Sequence, residues 1–328
     1  MNIILSKLNK KLISVTIGDI NGIGIHLLLK EFRKKKIKNF ILLTNIKIFN
    51  KYIKFPKSKI NLINEIDFKN YNNKKLNIYS YKTKNKYTNT IDSLNYAYAF
   101  TKKKLFIGIL TLPLNKNKIN KFVNKKFIDQ TSFFSDKEEQ KYSNMVFYYK
   151  KKFFVPLTIH IELKKVHELF KNKNIITKKI ENIYSTLIND FNINVPKIIL
   201  AGINPHAGEN KTISVDDDKY LIPVINKLKN REILVEGPVS GDGMINDQNL
   251  RKYDVFVFTY HDQALIPFKI ISNYKGVNFT SNLEIIRVSP SHGTAENLIG
   301  SNRVISEGII NCFKLINTIY INRNKKLN

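Results

Sequence analysis

The stretch Leu12-Ile13-Ser14-Val15-Thr16-Ile17-Gly18-Asp19-Ile20-Asn21-Gly22-Ile23-Gly24-Ile25-His26-Leu27-Leu28-Leu29-Lys30-Glu31-Phe32 contains a strand, a turn and a helix in immediate succession. Residues 12–17 form an apolar run rich in β-branched side chains and read as a buried strand. Residues 18–24 hold three glycines and read as a turn, and 25–32 show the apolar density of a core-facing helix. The same alternation continues outward. Buried strands are expected at 40–44, 105–110, 197–201 and 255–259, and helices at 90–101, 176–191 and 218–228. Ile305, Ile309, Phe313, Ile316 and Tyr320 mark one face of a closing helix. Strands alternating with helices predict an α/β fold with a largely parallel sheet. The polar, lysine-rich 71–86 reads as a long connection or weak hairpin, and the chain shows neither an internal repeat nor a clean linker.

With 328 residues, 43% apolar and 25% charged, the chain can bury one large core or two ordinary ones and is not a disordered composition. No run approaches the ~18 apolar residues of a membrane span. Residues 1–11 alternate apolar and basic side chains and lack the apolar block of a secretory leader, so a cytoplasmic location is expected. The single cysteine, Cys312, excludes a disulfide framework and any multi-cysteine metal site. The net charge of +29 raises nucleic acid as a partner. The lysines are dispersed, however, and clusters such as Arg33-Lys34-Lys35-Lys36 and Lys102-Lys103-Lys104 adjoin apolar runs as solvated element ends do. No specific nucleic acid and no membrane is therefore expected, although the positive field favours capture of phosphorylated small molecules.

Three histidines stand at or beyond predicted strand ends: His160 after Phe154-Val155-Pro156-Leu157-Thr158-Ile159, His206 in Asn204-Pro205-His206-Ala207-Gly208-Glu209, and His261 in Thr259-Tyr260-His261-Asp262-Gln263. Ligands of α/β sheets bind at the carboxyl ends of strands, where three imidazoles could hold one cation and leave a coordination position open. Each taken singly reads as a hydrogen-bonded loop residue rather than a ligand. The Gly18–Gly24 turn has the spacing G-x-x-x-G-x-G rather than the dinucleotide fingerprint G-x-G-x-x-G, and reads as a tight structural turn. Lys269, Asn278 and Arg287 are of the types that hold a phosphomonoester and a carboxylate, but by themselves they read as ordinary surface polar residues of a basic protein.

Several ordered motifs then carry a resemblance. Thr16-Ile17-Gly18-Asp19-Ile20-Asn21-Gly22-Ile23-Gly24, Thr111-Leu112-Pro113-Leu114-Asn115-Lys116 and Phe127-Ile128-Asp129-Gln130-Thr131-Ser132-Phe133-Phe134 come first. Asn204-Pro205-His206-Ala207-Gly208-Glu209, Tyr260-His261-Asp262-Gln263 and Ser291-His292-Gly293-Thr294-Ala295 follow. In this order they resemble the 4-hydroxythreonine-4-phosphate dehydrogenase family across nearly the whole chain.

The resemblance implies two α/β domains around a cleft, as in isocitrate and isopropylmalate dehydrogenases: 1–128 plus 283–328, and 129–282. It implies one divalent metal (Zn, Mg or Co) per subunit on His160, His206 and His261, and substrate contacts from Gln130, Thr131, Lys269, Asn278 and Arg287. His292, Gly293 and Thr294 would receive the adenosine end of NAD or NADP, and Asp242 and Asp262 would orient ligands or relay a proton. A homodimer with active sites drawing on both subunits is implied as well. The expected reaction is oxidation of 4-phosphooxy-L-threonine at its secondary hydroxyl, then decarboxylation to 3-amino-2-oxopropyl phosphate, in vitamin B6 synthesis. A phosphorylated sugar acid (threonate or erythronate phosphate) is the alternative substrate. A metal-dependent hydrolase and a basic nucleic-acid-binding protein are the more distant readings. The chain departs from the family pattern at Gln130, where a histidine is usual, and at Ser291, where an aspartate is usual.

Overall fold

A computed structural model describes residues 11–64, 70–123, 126–301 and 304–325. All of the N-terminal segment 1–11 except Lys11 lies outside the described residues. The chain forms two compact units, Met1–Phe133 with Ile285–Tyr320, and Phe134–Glu284 with Ile321–Asn328.

The first unit runs β1 (Ile13–Thr16), α1 (Ile23–Arg33), β2 (Phe40–Leu43), α2 (Ile46–Tyr52), β3 (Ile60–Ile63), β4 (Leu76–Tyr79), α3 (Lys86–Lys102), β5 (Gly108–Thr111) and α4 (Lys116–Val123). Helix α5 (Gln130–Lys137) carries the chain into β6 (Met145–Tyr149), β7 (Lys152–Thr158), α6 (Leu163–Phe170), α7 (Lys173–Phe191), β8 (Ile198–Ala201) and α8 (Ile222–Lys229). Then come β9 (Val235–Val239), α9 (Asp247–Lys252), β10 (Val255–Tyr260), α10 (His261–Ser272) and β11 (Val277–Thr280). The chain returns through β12 (Arg287–Pro290) and closes with α11 (Glu307–Lys325).

The first unit's strands lie in the order β3-β4-β2-β1-β5-β12, each neighbouring pair parallel. Every residue of β1, β2, β4 and β5 is buried, as a parallel sheet with both faces covered requires. The strand-turn-helix of 12–32 forms as expected, but α1 begins at Ile23, inside the glycine turn. Gly18 sits at φ +62, and a Cβ there would meet the Pro113 carbonyl oxygen at 2.5 Å. The glycine therefore serves a tight backbone approach, in keeping with a structural turn.

The reading of 71–86 as a connection or weak hairpin is corrected: it contains β4, a buried parallel strand between β2 and β3. The polar residue that hid it is Asn77, only 2% exposed. Its side-chain oxygen accepts from Asn61 Nδ2 (2.8 Å) and Asn72 N (2.9 Å), and its Nδ2 donates to the carbonyls of Asn72 (2.9 Å) and Lys75 (3.1 Å). Burying an amide is tolerated once its hydrogen bonds are made.

The second unit has the order β11-β6-β7-β10-β8-β9. Its β11–β6 and β6–β7 pairs are antiparallel, whereas β7–β10, β10–β8 and β8–β9 are parallel. Phe147, Phe154, Phe256, Phe258 and Phe268 pack into one core under these strands. Each such ring contributes roughly 1.5–3 kcal/mol by leaving water. Because β7, β10 and β8 are adjacent and parallel, their carboxyl ends open at one edge of the sheet. Among the described residues no helix is long and apolar enough to cross a membrane.

Candidate active site

His160 follows β7, His206 lies in the short turn Pro205–Gly208 after β8, and His261 is the first residue of α10, directly after β10. The rings of His160 and His261 have centroids 5.6 Å apart. His261 Nδ1 lies 2.9 Å from Asp262 Oδ1, and His206 Nδ1 lies 3.5 Å from Ser240 Oγ. Each of these two imidazoles thus has one nitrogen engaged by an oxygen and the other left to a ligand, the usual preparation of a metal-binding histidine. Ser240 in turn donates to Asp242, whose carboxyl is held below the usual carboxylate range by that hydroxyl and by the Gly243 amide.

The donor chemistry therefore suits a divalent cation. The histidines are nevertheless not gathered: no group of three His, Cys, Asp or Glu among the described residues is placed to hold a metal. His160 and His261 approach one another, and His206 does not complete a set with them. His160 (φ 53) and His206 (φ 50) both adopt left-handed backbone, which costs an L-residue roughly 1–2 kcal/mol. Strain of this kind collects where a loop is shaped for a ligand.

Asp217, fully buried, builds the His206 loop and was not singled out by sequence. Its carboxylate accepts from the Ile203 amide (2.6 Å), the Asn204 amide (3.3 Å) and Asn204 Nδ2 (2.9 Å). A run of three aspartates, 216–218, ahead of a helix offers no signal that the middle one turns inward. Gln263 adds a second tie, accepting from the Thr259 amide (2.9 Å) and Thr259 Oγ1 (2.8 Å) and donating to the Gly202 carbonyl (3.4 Å). A cavity of about 560 Å3 opens here, lined by His206, Ser240, Asp242, Asp262 and Gln263 and walled by Ile266 and Ile270. Lys269 is exposed on α10, and Asn278 lies in β11 with its Oδ1 buried and without a partner among the described residues.

In the first unit, Arg287 on β12 is 2% exposed. Its Nε and Nη2 donate to Thr111 Oγ1 (3.0 and 2.8 Å), Nη1 to Thr131 Oγ1 (3.5 Å), and Nη2 also to Gln130 Oε1. Gln130 Nε2 is committed to the Leu112 carbonyl (3.0 Å). Three residues assigned to the substrate, Gln130, Thr131 and Arg287, are thus joined in one cluster, and Gln130 acts there by holding Arg287. Burial draws the guanidinium down to about 10, with nearby Asp129 acting in the opposite sense, so it stays charged at neutral pH.

His292, Gly293 and Thr294 follow β12. Ser291 Oγ and His292 Nε2 are buried without a hydrogen-bond partner among the described residues, and the space around Gly293 is open. Burial lowers the His292 pKa, partly offset by the Gly293 carbonyl at Nδ1, 2.9 Å away. Orphaned polar atoms beside open space fit a polar ligand such as a dinucleotide.

A parallel first sheet and a mixed second one, with imidazoles at strand exits in the second unit and a buried guanidinium in the first, define an α/β chain whose polar groups are of the types that suit a small anionic ligand. Residues 35–316 match the family described as pyridoxal phosphate biosynthetic protein PdxA. The chain belongs to this family of dehydrogenases. It is 25% identical over 333 residues to the 4-hydroxythreonine-4-phosphate dehydrogenase of Bacteroides thetaiotaomicron, covering 97% of this chain and 91% of that one. It is 36% identical to the enzyme of that name from Aquifex aeolicus over 64% of each chain. The crystal structure of 4-hydroxythreonine-4-phosphate dehydrogenase from Klebsiella pneumoniae shares the fold, with TM-score 0.78 and 23% identity over 94% of this chain and 99% of that one.

Proposed function

We propose that this chain oxidises 4-phosphooxy-L-threonine at its secondary hydroxyl, using NAD or NADP and a divalent cation, and that the β-keto acid formed loses CO2 to give 3-amino-2-oxopropyl phosphate for pyridoxal 5'-phosphate synthesis. The observation that carries the reading is the cluster of Arg287, Thr131 and Gln130, which holds a positive charge in a buried, hydrogen-bonded socket. A guanidinium fixed in this way suits the constant charge of a phosphate or carboxylate. In the second unit, Lys269 would supply a further cation and Asn278 an amide, the side-chain types that hold a phosphomonoester and a carboxylate.

His160, His206 and His261 would be the cation's ligands, His206 and His261 through the ring nitrogen that Ser240 and Asp262 leave available. The chemistry these groups would supply when bound is acidification of the substrate hydroxyl by the cation and hydride acceptance by the nicotinamide. Asp262 keeps His261 in one tautomer and orientation. Asp242, its carboxylate favoured by Ser240 and the Gly243 amide, would orient the ligand or relay the proton beside His206. His292, Gly293 and Thr294 would receive the adenosine end of the dinucleotide. The protein is read as a cytoplasmic homodimer whose active sites draw on both subunits. Ile266 and Ile270, one helical turn apart on α10 and 63% and 75% exposed, support the presence of a covering partner.

The test compares three substrates: 4-phosphooxy-L-threonine, threonate phosphate and erythronate phosphate. NADH or NADPH formation is followed in metal-stripped protein before and after Zn, Mg or Co is restored. Metal-dependent reduction with the amino acid well above the sugar acids is expected. Release of inorganic phosphate without dinucleotide reduction would overturn the reading in favour of a hydrolase.

A further inference from the structure

Outside the groups described above, one polar cluster joins three segments of the first unit that sequence leaves far apart. Lys118 Nζ on α4 lies 2.5 Å from Glu296 Oε1 and 3.5 Å from Asp19 Oδ2. Glu296 belongs to the short helical turn Glu296–Leu298, immediately after the His292-Gly293-Thr294 segment. Asp19 belongs to the glycine turn, where it accepts from the Asn21 amide (3.0 Å) and donates its own amide to the Pro113 carbonyl (2.8 Å). A backbone hydrogen bond, Ile23 N to Thr294 O at 2.8 Å, ties the same two segments. Ala295 between them is left-handed, at φ 38.

We propose that Lys118 is a positioning residue, whose ion pairs with Glu296 and Asp19 hold the 292–296 backbone against the glycine turn and so fix the segment that receives the dinucleotide. The inference rests on the cofactor role given above to His292, Gly293 and Thr294. The geometry is specific to it. Thr294 O is already spent on Ile23, and Ser291 Oγ and His292 Nε2 stay unpartnered on the same segment. The segment is therefore anchored at Thr294 and Glu296, through groups other than its buried, unpartnered polar atoms. Asp19 is the most buried member and cannot move without disturbing the turn, so it is the fixed post and Glu296 the tethered end. Both ends of the Lys118–Glu296 pair remain partly solvated, which limits the tether to a modest, salt-sensitive effect.

The test uses full-length, metal-loaded protein carrying Lys118→Met, Lys118→Arg or Glu296→Gln, with folding checked by Tm. Two readouts are needed: hydrogen exchange of 291–300 without dinucleotide, and steady-state kinetics with each substrate varied. Faster exchange in 291–300 is expected for Lys118→Met and Glu296→Gln, with recovery in Lys118→Arg. The KM for the dinucleotide should rise about three- to tenfold while kcat and the KM for the phosphorylated substrate stay within about twofold. Unchanged exchange would overturn the tether itself. Faster exchange with an unmoved dinucleotide KM would leave the tether but overturn the positioning role, and would locate the error in the cofactor assignment of the segment. Should Lys118→Met fail to fold, Glu296→Gln, whose partner is half-exposed, carries the same two readouts.

Discussion

Arg287 in the first unit and the histidine loops of the second are organised in opposite ways. The guanidinium is buried, its donors are taken up by two hydroxyls and an amide oxygen, and burial pulls its pKa down without discharging it. His160 and His206 adopt left-handed backbone, His206 beside an open cavity, and His261 opens α10; one nitrogen of His261 and of His206 is engaged, and among the described residues no three-donor set is assembled. A fixed anion is best met by a charge that cannot move, because reorganisation on binding costs affinity. A cation brings its own organising force, so its ligands need orientation but not full convergence.

The sharpest way to break this contrast is to remove ligands from the open side. His160→Ala, His206→Ala and His261→Ala should each lose most bound divalent metal and lower turnover by at least about 100-fold, since even outer partners of such sites are worth 10–100-fold. Elemental analysis with parallel kinetics decides, and stoichiometric metal at normal turnover in any of the three would sink that ligand.

On the closed side, Arg287→Lys should raise KM for the phosphorylated substrate by about tenfold or more with a smaller fall in kcat. An ammonium cannot reach Thr111, Thr131 and Gln130 from one point. An unchanged KM would remove Arg287 from the substrate.

Asp217→Asn tests whether the His206 loop owes its shape to one carboxylate. It places an amide donor against two donors, and a charged hydrogen bond of this kind is worth ~1.5–3 kcal/mol. A fall in stability of that order in chemical denaturation is expected, together with weaker metal retention. Native stability would show that the loop holds itself.

The smallest expected effect is a pH dependence. Burial lowers the pKa of both His292 and His26 below the ordinary 6.5, with Arg33 adding to the effect at His26. Their folded pKa values lie below the unfolded ones, so stability is level above pH 6.5. It falls as the pH drops below 6.5, where unfolded imidazoles bind protons that the folded ones resist. Tm measured from pH 7.5 to 5 should decline at the acid end, and less so in His292→Asn. Superimposable profiles would mean that His292 is not desolvated.

Much of the fold was legible because its signals are local. The strand, turn and helix of 12–32 are set by side-chain periodicity and by a glycine at positive φ, both of which act over a few residues. The hidden strand β4 and the inward turn of Asp217 were not legible, since a polar side chain is read as exposed until its buried partners are known. Chemistry divides in the same way. Residue types and motif order pointed to imidazoles at strand exits and to an anion site before any coordinates. That Gln130 serves Arg287, that Asp217 shapes the His206 loop, and that Lys118 reaches Glu296 were decided by chain closure alone. The contacts Gln130–Arg287, Asp217–Ile203 and Lys118–Glu296 span 157, 14 and 178 residues, and no local preference of the backbone encodes which distant side chain will arrive.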